Sequence, residues 1–556
     1  MITENFPINP AMELDTRVHR RTTATDHATS HESTTSLDRN KILLEADEFI
    51  AKYDLTDSRN IIRKGVLLFY YPDDRSRIEE EAIFLGDCKD MPTNNSPLTG
   101  MGICYAAGFL SLMVSRPCPE WGWIWLPPQP DGITRALHSK VSIIFALLGF
   151  GLSLLSNQYG GRRLAWRVGA HLALGASVET FISDNGISLF FLRGLSTTAN
   201  IVLVTTSLLY IAETSAPSKR GSCMAKWYCL TPVIWGCFQV PGVLMMYIFG
   251  FSGAFLNLIF SALAASTLLA LSVTMLESPY WLACNGKIAE AYHSLRGFRQ
   301  TELAAARDIY KIHNSINTRQ TPFDGYMTGK KKVPKLDAFS RKRKVMTSLA
   351  ICVVLMLTRG VSSIFVTEFF FRSFHGMEYF TRIAIYLCAV FVFPMLNGLM
   401  VSYLDHMRRR PTIISLLCGM CMCVVIPFAT TGIQAQQNVA AMFYIWSILL
   451  HFLAEVPVAL YISEVFPLEY REMGVALTVS VYAGCTAVLE KNMAEPSELG
   501  VNFLGKSLLI LLPLSILLAC FMKETKDSSL EYIGLRFEPS VQIRSTPDQK
   551  LHERNS

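Results

Sequence analysis

Two stretches of this chain carry the same charged pattern. YIAETSAPSKRG (210–221) and YISEVFPLEYREMG (461–474) each begin Tyr-Ile-small-Glu and place an Arg seven residues after that Glu: Glu213 with Arg220, Glu464 with Arg471. Each closes an apolar run and opens onto a charged turn. A second pair, Gly161-Arg162-Arg163 and Arg408-Arg409-Arg410, precedes the Glu/Arg turn in each half. Carboxylates and guanidinium groups so spaced make no nucleophile, phosphate cradle or metal set. The chemistry open to them is charge-assisted, often bidentate, hydrogen bonding. Contacts of that strength can lock a seam that a shift of a few kcal/mol releases. Arg162, Arg163, Glu213, Arg220, Asp405, Arg409, Arg410, Glu464 and Arg471 are the candidates for such a gate. The competing reading is that the arginines only fix membrane topology.

Three further charges fall inside apolar runs: Arg359, Glu368 and Glu455. An intramembrane charge is expensive unless paired, and marks a functional site by default. Arg359 has two readings, capture of an anionic substrate or a structural pair with Glu455. Glu368, Glu490 and Lys491 stand near segment ends, where water can reach them.

The elements that must position these residues are membrane helices. Of 556 residues 51% are hydrophobic and only 17% charged, with mean hydropathy +0.30. Apolar runs near the length that crosses a hydrocarbon core recur along the chain. The net charge of +6 fits basic cytoplasmic loops and implies no nucleic-acid partner. The 14 Cys lie mostly within apolar runs, where Cys behaves as a small hydrophobe. Cys418, Cys421 and Cys423 have no nearby His or acidic partner, so no metal site and no cofactor are expected. The first 40 residues are polar and show no signal-peptide core.

The expected fold class is an all-α membrane protein with twelve transmembrane helices in two six-helix halves and cytoplasmic termini. Residues 1–97 form a cytoplasmic tail, disordered to about residue 40, then carrying amphipathic helices from Asn40 to Tyr53 and after a Thr56-Asp57-Ser58 cap. The first half (98–276) holds segments at Leu98–Val114, Val141–Ser156, Leu164–Ile182, Ile187–Ala212, Met224–Ile248 and Gly253–Leu276. A basic loop (277–344) follows, with surface helices at 286–299 and 301–317 and the clusters Lys330-Lys331-Lys332 and Arg341-Lys342-Arg343-Lys344. The second half (345–521) holds Val345–Phe369, Ile383–Leu404, Thr412–Thr431, Val439–Ser463, Gly474–Leu489 and Phe503–Phe521, before a tail at 522–556. The basic loop and every Arg pair then fall inside, as the positive-inside rule requires. Asn94-Asn95-Ser96 fits a glycosylation sequon on the wrong side for use. Parallel repeats of this kind, with a cavity at their interface, suit alternating access.

From about Lys41 to Ile533 the chain resembles the sugar porter family of the major facilitator superfamily, most closely its fungal branch. The two Tyr-to-Gly turns match loop motifs of that family. Glu277-Ser278-Pro279-Tyr280-Trp281-Leu282 resembles its signature after the sixth helix, and GKIAEAYHSLRGFRQTELAAARDIYKIH its cytoplasmic helices. Glu524-Thr525-Lys526 with Leu530-Glu531 resembles its terminal motif, with Lys523 in place of Pro and Asp527 in place of Gly. Arg193, twenty residues before Glu213, matches a family Arg and joins the candidate gate. The resemblance implies twelve helices and transport of a small solute, often coupled to protons. It places Tyr228, Ser362 and Glu455-Val456-Pro457 at the cavity, so that Tyr228, Arg359, Ser362, Ser363, Glu455 and Pro457 are the substrate-cavity candidates.

The departures lie where sugar would bind. Met356 and Leu357 stand at two Gln positions, Ser362 at an Asn, Tyr228 at a Gln, and Thr197 and Ile201 at glycines. No acidic residue lies between Leu98 and Val114, Gln158 replaces an Asp, and Arg408 replaces a Gly. A site built on hydrogen bonds discriminates strongly against their loss, so ordinary hexose uptake is not the expectation. The expected protein is a monomeric plasma-membrane transporter of a sugar, polyol or less polar metabolite, with uptake and export, and proton coupling or its absence, left open. The alternatives are a non-transporting sensor of the same fold and a decayed paralogue, the latter suggested by the weak first segment. No enzyme is expected.

Overall fold

The computed structural model describes residues 28–84, 96–115, 132–178, 186–249, 253–299, 301–327, 335–373, 403–429, 437–492 and 498–526, with scattered positions at 392–401 and Leu530. Among the described residues the regular structure is entirely helical. The membrane-length helices of the first half are α4 (Ser96–Ser115), α5 (Gly132–Ser177), α6 (Gly186–Thr214), α7 (Arg220–Phe249) and α8 (Gly253–Thr274). They follow α1 (Ala28–Tyr53), α2 (Arg59–Tyr70) and α3 (Arg75–Phe84). The central loop carries α9 (Pro279–Cys284), α10 (Ile288–Phe298) and α11 (Glu302–Met327). The second half follows with α12 (Lys335–Ser373), α13 (Arg409–Ala429), α14 (Gln437–Val465), α15 (Leu468–Asn492) and α16 (Glu498–Ala519). Every expected membrane segment except the eighth, which falls mostly outside the described residues, coincides with one of these helices. The sequon at Asn94 and the Lys330 cluster also fall outside.

Five stretches, Lys140–Ser177, Gly194–Thr214, Arg343–Phe365, Arg409–Ile426 and Tyr470–Leu489, are long and apolar enough to cross a membrane, and Met101–Leu112, Leu258–Thr274 and Gly505–Ala519 are shorter apolar helices. Ile143, Ile144, Leu147 and Leu148 stand exposed on one face of α5. Their spacing is that of a single helical stripe, facing away from the rest of the protein. The weak first segment is a formed helix with Ile103, Cys104, Ala107 and Leu110 buried.

α5 spans two expected segments because Gly161 turns the chain between them at φ 73°, ψ −172°. A β-carbon there would also sit 2.8 Å from Glu277 Oε2, so conformation and space both call for glycine. Arg408, at the matching place in the second half, has no positive φ; residues 404–408 form an ordinary turn instead. The halves meet along α15, which packs on α5 and α6, and along α14, which packs on α7 and α6. Gly484 marks that seam: its β-carbon would lie 3.2 Å from Ala146 Cβ.

Among the helices outside the membrane-length set, α2 lies against α11, closely enough that a β-carbon at Gly65 would meet Ala306 Cβ at 2.7 Å. Phe49 and Tyr53 of α1 surround His313 of α11, and Phe69 and Tyr70 of α2 stack edge-on with Tyr310 or each other. Two expectations change here. The first helix starts at Ala28, well before Asn40, and Ser58 precedes α2 without a side-chain cap hydrogen bond. A 3₁₀ turn over Thr56–Ser58 leads into α2, so backbone geometry does the work expected of the side-chain cap.

Candidate functional site

The double-Arg turns and the Glu/Arg turns converge at one end of the bundle. In the first half the backbone N–H groups of Arg162 and Arg163 donate to the Glu277 carboxylate at 2.9 and 3.2 Å. A carboxylate is favoured there because those N–H groups open a new helical run. The Arg162 guanidinium forks onto Glu213, Nε to Oε2 at 3.1 Å and Nη2 to Oε1 at 2.7 Å. The Ser278 hydroxyl donates to Glu213 Oε2 at 2.6 Å. Arg163 reaches the Met275 carbonyl.

The second half repeats the arrangement. Arg409 N and Arg410 N donate to Glu524 at 2.8 and 3.3 Å, and the Thr525 hydroxyl donates to Glu464 Oε2 at 2.7 Å. Arg409 Nε lies 3.7 Å from Glu464 Oε2, and Arg410 Nη2 donates to the Cys520 carbonyl at 2.6 Å. Each half thus builds its own Arg–Glu–hydroxyl knot.

At this end of the bundle, among the described residues, three contacts cross between halves. Arg220 Nη1 donates to Glu464 Oε1 at 3.2 Å, and Arg162 Nη1 to Glu472 Oε1 at 2.5 Å. Asp405 Oδ1 accepts from Ser222 N at 2.9 Å, capping the start of α7 from the other half. Arg162, Glu213, Arg220, Arg409, Glu464 and Arg471 are each at most 2% exposed. Charges so buried persist only when paired and hydrogen-bonded. Arg220 Nε also donates to the Ala212 carbonyl at 3.1 Å, and Arg471 Nη2 to the Leu530 carbonyl at 3.4 Å. Arg299 ties the end of α6 to the surface helices, donating to the Thr214 carbonyl at 2.9 Å and pairing with Asp308 at 2.6 Å. Burial alone would raise the Asp308 carboxyl, but Arg299 and Arg307 beside it hold it below its ordinary value.

A second cluster sits deep in the bundle. Arg359 lies roughly 24 Å along its helix from Arg343, and Glu455 roughly 15 Å from Val465, at 1.5 Å per residue. The depth of Glu455 is the middle of a hydrocarbon core about 30 Å thick, and the Arg359 guanidinium meets it there. Arg359 Nη2 donates to Glu455 Oε1 at 3.0 Å and Nη1 to the Tyr228 hydroxyl at 3.3 Å. The guanidinium lies over the rings of Tyr228 and Tyr482, 5.4 and 5.1 Å from their centroids, a cation–π sandwich. His451 Nε2 stands 3.9 Å from Glu455 Oε1, and its Nδ1 shares a 2.8 Å hydrogen bond with Ser362. Ser362 also donates to the Arg359 carbonyl at 3.0 Å. Tyr228 comes from the first half and the others from the second. Gly360 lets α12 approach α15: its β-carbon would meet Cys485 Sγ at 3.1 Å.

The sequence model of the family described as "Sugar (and other) transporter" matches residues 132–537. The chain belongs to this family. A protein described as a metabolite transporter, YfiG of Bacillus subtilis (strain 168), is 24% identical over 76% of this chain and 89% of its own length. The galactose-proton symporter of Escherichia coli (strain K12) is 23% identical over 42% of this chain and 51% of its own. Among solved structures, the proton:xylose symporter XylE bound to 6-bromo-6-deoxy-D-glucose shares 18% identity, covers 80% of this chain and 100% of its own, and superposes with a TM-score of 0.66. The inward-open XylE from E. coli, with 16% identity, covers 79% of this chain and 99% of its own and gives 0.51. The fold is that of major facilitator transporters, and the protein is a multi-pass membrane transporter, not an enzyme.

Within this family fold, the geometry brings together all the gate candidates read from the sequence save Arg193, whose side chain lies outside the described residues. Of the cavity candidates, Tyr228, Arg359, Ser362 and Glu455 meet in one cluster, while Ser363 and Pro457 are buried on the same two helices, α12 and α14. The pairing of Arg359 with Glu455 is present; anion capture by Arg359 is a separate question. Glu472, His451 and Tyr482 were not found from the sequence. Glu472 aligns with Gly221 in the other copy, so the repeat gave no sign of it. Glu277-Ser278 and Glu524-Thr525 could have been found as a third repeated pair, a Glu followed by a hydroxyl residue after the last helix of each half.

Proposed function

We propose that this transporter moves a small solute through the Arg359 region by alternating access, with the buried charge seam as its cytoplasmic gate. The observation that carries the reading is the cross-half pair Arg220–Glu464 at 3.2 Å, joined by Arg162–Glu472 at 2.5 Å. Ion pairs within one half hold that half rigid; pairs between halves must break when the halves rock apart. Two knots that each stay intact, linked by a few separable contacts, supply a bistable seam. The state held by these contacts is closed on the cytoplasmic side. Pro457, whose nitrogen cannot donate to the Leu453 carbonyl, weakens α14 in the turn that carries Glu455, where a carrier needs a bend.

The solute belongs to the range of sugars, polyols and related metabolites, moved by a monomer with twelve helices and cytoplasmic ends in the plasma membrane. The 98–276 and 345–521 halves rock about the central cluster, and the family's proton-coupled members make protons the first coupling ion to test. The test is uptake and efflux of labelled hexoses, pentoses, polyols, sugar acids and apolar metabolites in cells lacking their own hexose carriers, with and without a protonophore. Saturable movement of any one supports the reading. No movement of any, from protein shown intact at the membrane, overturns it in favour of a sensor.

A further inference from the structure

The central cluster is not arranged like a neutral sugar site. Its dominant group is a guanidinium held between two tyrosine rings and engaged by Glu455 through a single Nη2 bond. Arg359 Nε is buried and has no hydrogen-bond partner among the described residues. The Nε–Nη2 edge is the one that matches a carboxylate bidentately, and Glu455 uses only half of it. We propose that Arg359 is the substrate-binding cation of a small organic carboxylate, and that Glu455 is a tethered competitor which the substrate displaces. This rests on the transport reading above and names its substrate class.

Charge balance sets what must accompany the exchange. In the resting cluster Arg359 and Glu455 cancel. A second carboxylate would leave a net negative charge at mid-membrane depth, which is costly. One proton taken up by the released Glu455, with His451 3.9 Å away as its relay, restores neutrality: one carboxylate and one proton enter the site, and both leave together. Among the described residues Arg359 on α12 and His451 on α14 face Glu455, while Tyr228 on α7 and Tyr482 on α15 hold Arg359. Tyr228 and Tyr482 hold the guanidinium plane fixed while its partner changes. The apolar Met356 and Leu357 at the former amide positions then fit a substrate anchored by its charge rather than by many hydroxyls.

The test uses the full chain in proteoliposomes with labelled gluconate, lactate and benzoate, and glucose and xylitol as neutral controls, at pH 5.5 and 7.5. Ligand-induced thermal shift of the purified protein reads binding apart from transport. The expected result is saturable binding and uptake of at least one carboxylate, stronger at pH 5.5. Arg359→Lys, which keeps the charge and loses the fork, weakens that carboxylate at least tenfold. Glu455→Gln removes the competitor, so carboxylate binds several-fold tighter at pH 7.5 and its pH dependence disappears. A purely structural pair would instead make Glu455→Gln bind more weakly or unfold. Neutral solutes moving while every carboxylate fails overturns this inference and leaves the transporter reading standing. Failure of both overturns the two together. Carboxylate binding untouched by Arg359→Lys also overturns it.

Discussion

Arg220 of the first repeat donates to Glu464 of the second, not to Glu213 seven residues before it in its own. The conserved internal spacing therefore does not describe a local pair. Glu213 is taken by Arg162, and Glu464 is shared among Arg220, Arg409 and Thr525. Duplication supplied two copies of each part, and Arg220 of one copy pairs across the seam with Glu464 of the other.

Removing one partner of a buried pair costs about 3–5 kcal/mol because the other charge is stranded. At Arg220–Glu464 that cost falls on the cytoplasm-closed state alone. Arg220→Gln, which breaks the crossing pair and leaves Glu464 its Arg409 and Thr525 partners, is expected to populate the inward-open state, read as faster alkylation of an engineered cysteine at the cytoplasmic end of α15. Glu213→Ala or Arg409→Ala, which break the knots themselves, should lower transport while leaving membrane insertion intact. Unchanged transport in both would remove the gate role.

Gly161 and Gly286 both have positive φ, 73° and 77°, but only Gly161 is also crowded. A left-handed non-glycine residue costs roughly 1–2 kcal/mol, so Gly286→Ala, with nothing within 4 Å of its β-carbon, should lose about that. Gly161→Ala must in addition push Glu277 off the N–H groups of Arg162 and Arg163, and should lower the melting temperature further. Equal shifts in thermal unfolding would mean that the Glu277 contact contributes nothing.

Burial holds the His313 imidazole down to about 4, with Lys52 adding repulsion. Asn317 donates to its Nε2 at 2.7 Å and Tyr53 lies 3.4 Å from Nδ1, an arrangement for the neutral ring. Because the folded value lies below the free value of 6.5, docking of α1 and α2 on α11 is fully stabilised above 6.5 and weakens as pH falls toward 4. Asp47, held down to about 2 chiefly by its hydrogen bond to Arg63, loses its contribution only below its ordinary value of 3.8. At pH 5 the change is therefore His313's. Hydrogen exchange in α1 should rise between pH 7 and 5 in the native chain, after correction for intrinsic rates, and stay flat in His313→Phe.

The fold was legible because its signals are long: apolar runs set the helices. The members of the buried charge seam were legible wherever they repeat. What escaped has no repeat and no local period. Glu472 meets Arg162 only because α15 packs on α5, and Tyr482 meets Arg359 only because Gly360 lets α12 approach α15. Side chains joined by close helix packing leave no spacing to count. The α2 cap failed for the opposite reason: the polar residues were read locally, and the backbone turn had already solved the problem.

Gly221 offers the sharpest separation of seam from knot. A β-carbon there would lie 2.7 Å from Asp405 Oδ1 and 3.0 Å from the Leu404 carbonyl carbon, both in the other half. At Gly474, in the second copy, the three nearest atoms would all belong to the Phe466 ring of its own half, the closest at 2.6 Å. Both substitutions to Ala add the same methyl group to a tight helix contact, and overpacking typically costs about 1–3 kcal/mol. Gly221→Ala forces α7 away from the 404–405 turn and stretches the Ser222–Asp405 bond, so it should open the cytoplasmic side with little loss of overall stability. Gly474→Ala strains one half without parting the two, so it should lower the melting temperature in both states alike and leave cytoplasmic accessibility unchanged. Spin labels placed across the seam, on the cytoplasmic ends of α7 and α13, distinguish the outcomes: a longer distance in Gly221→Ala alone fits a gate whose two faces are held by contacts this close, and equal distances in both variants would not.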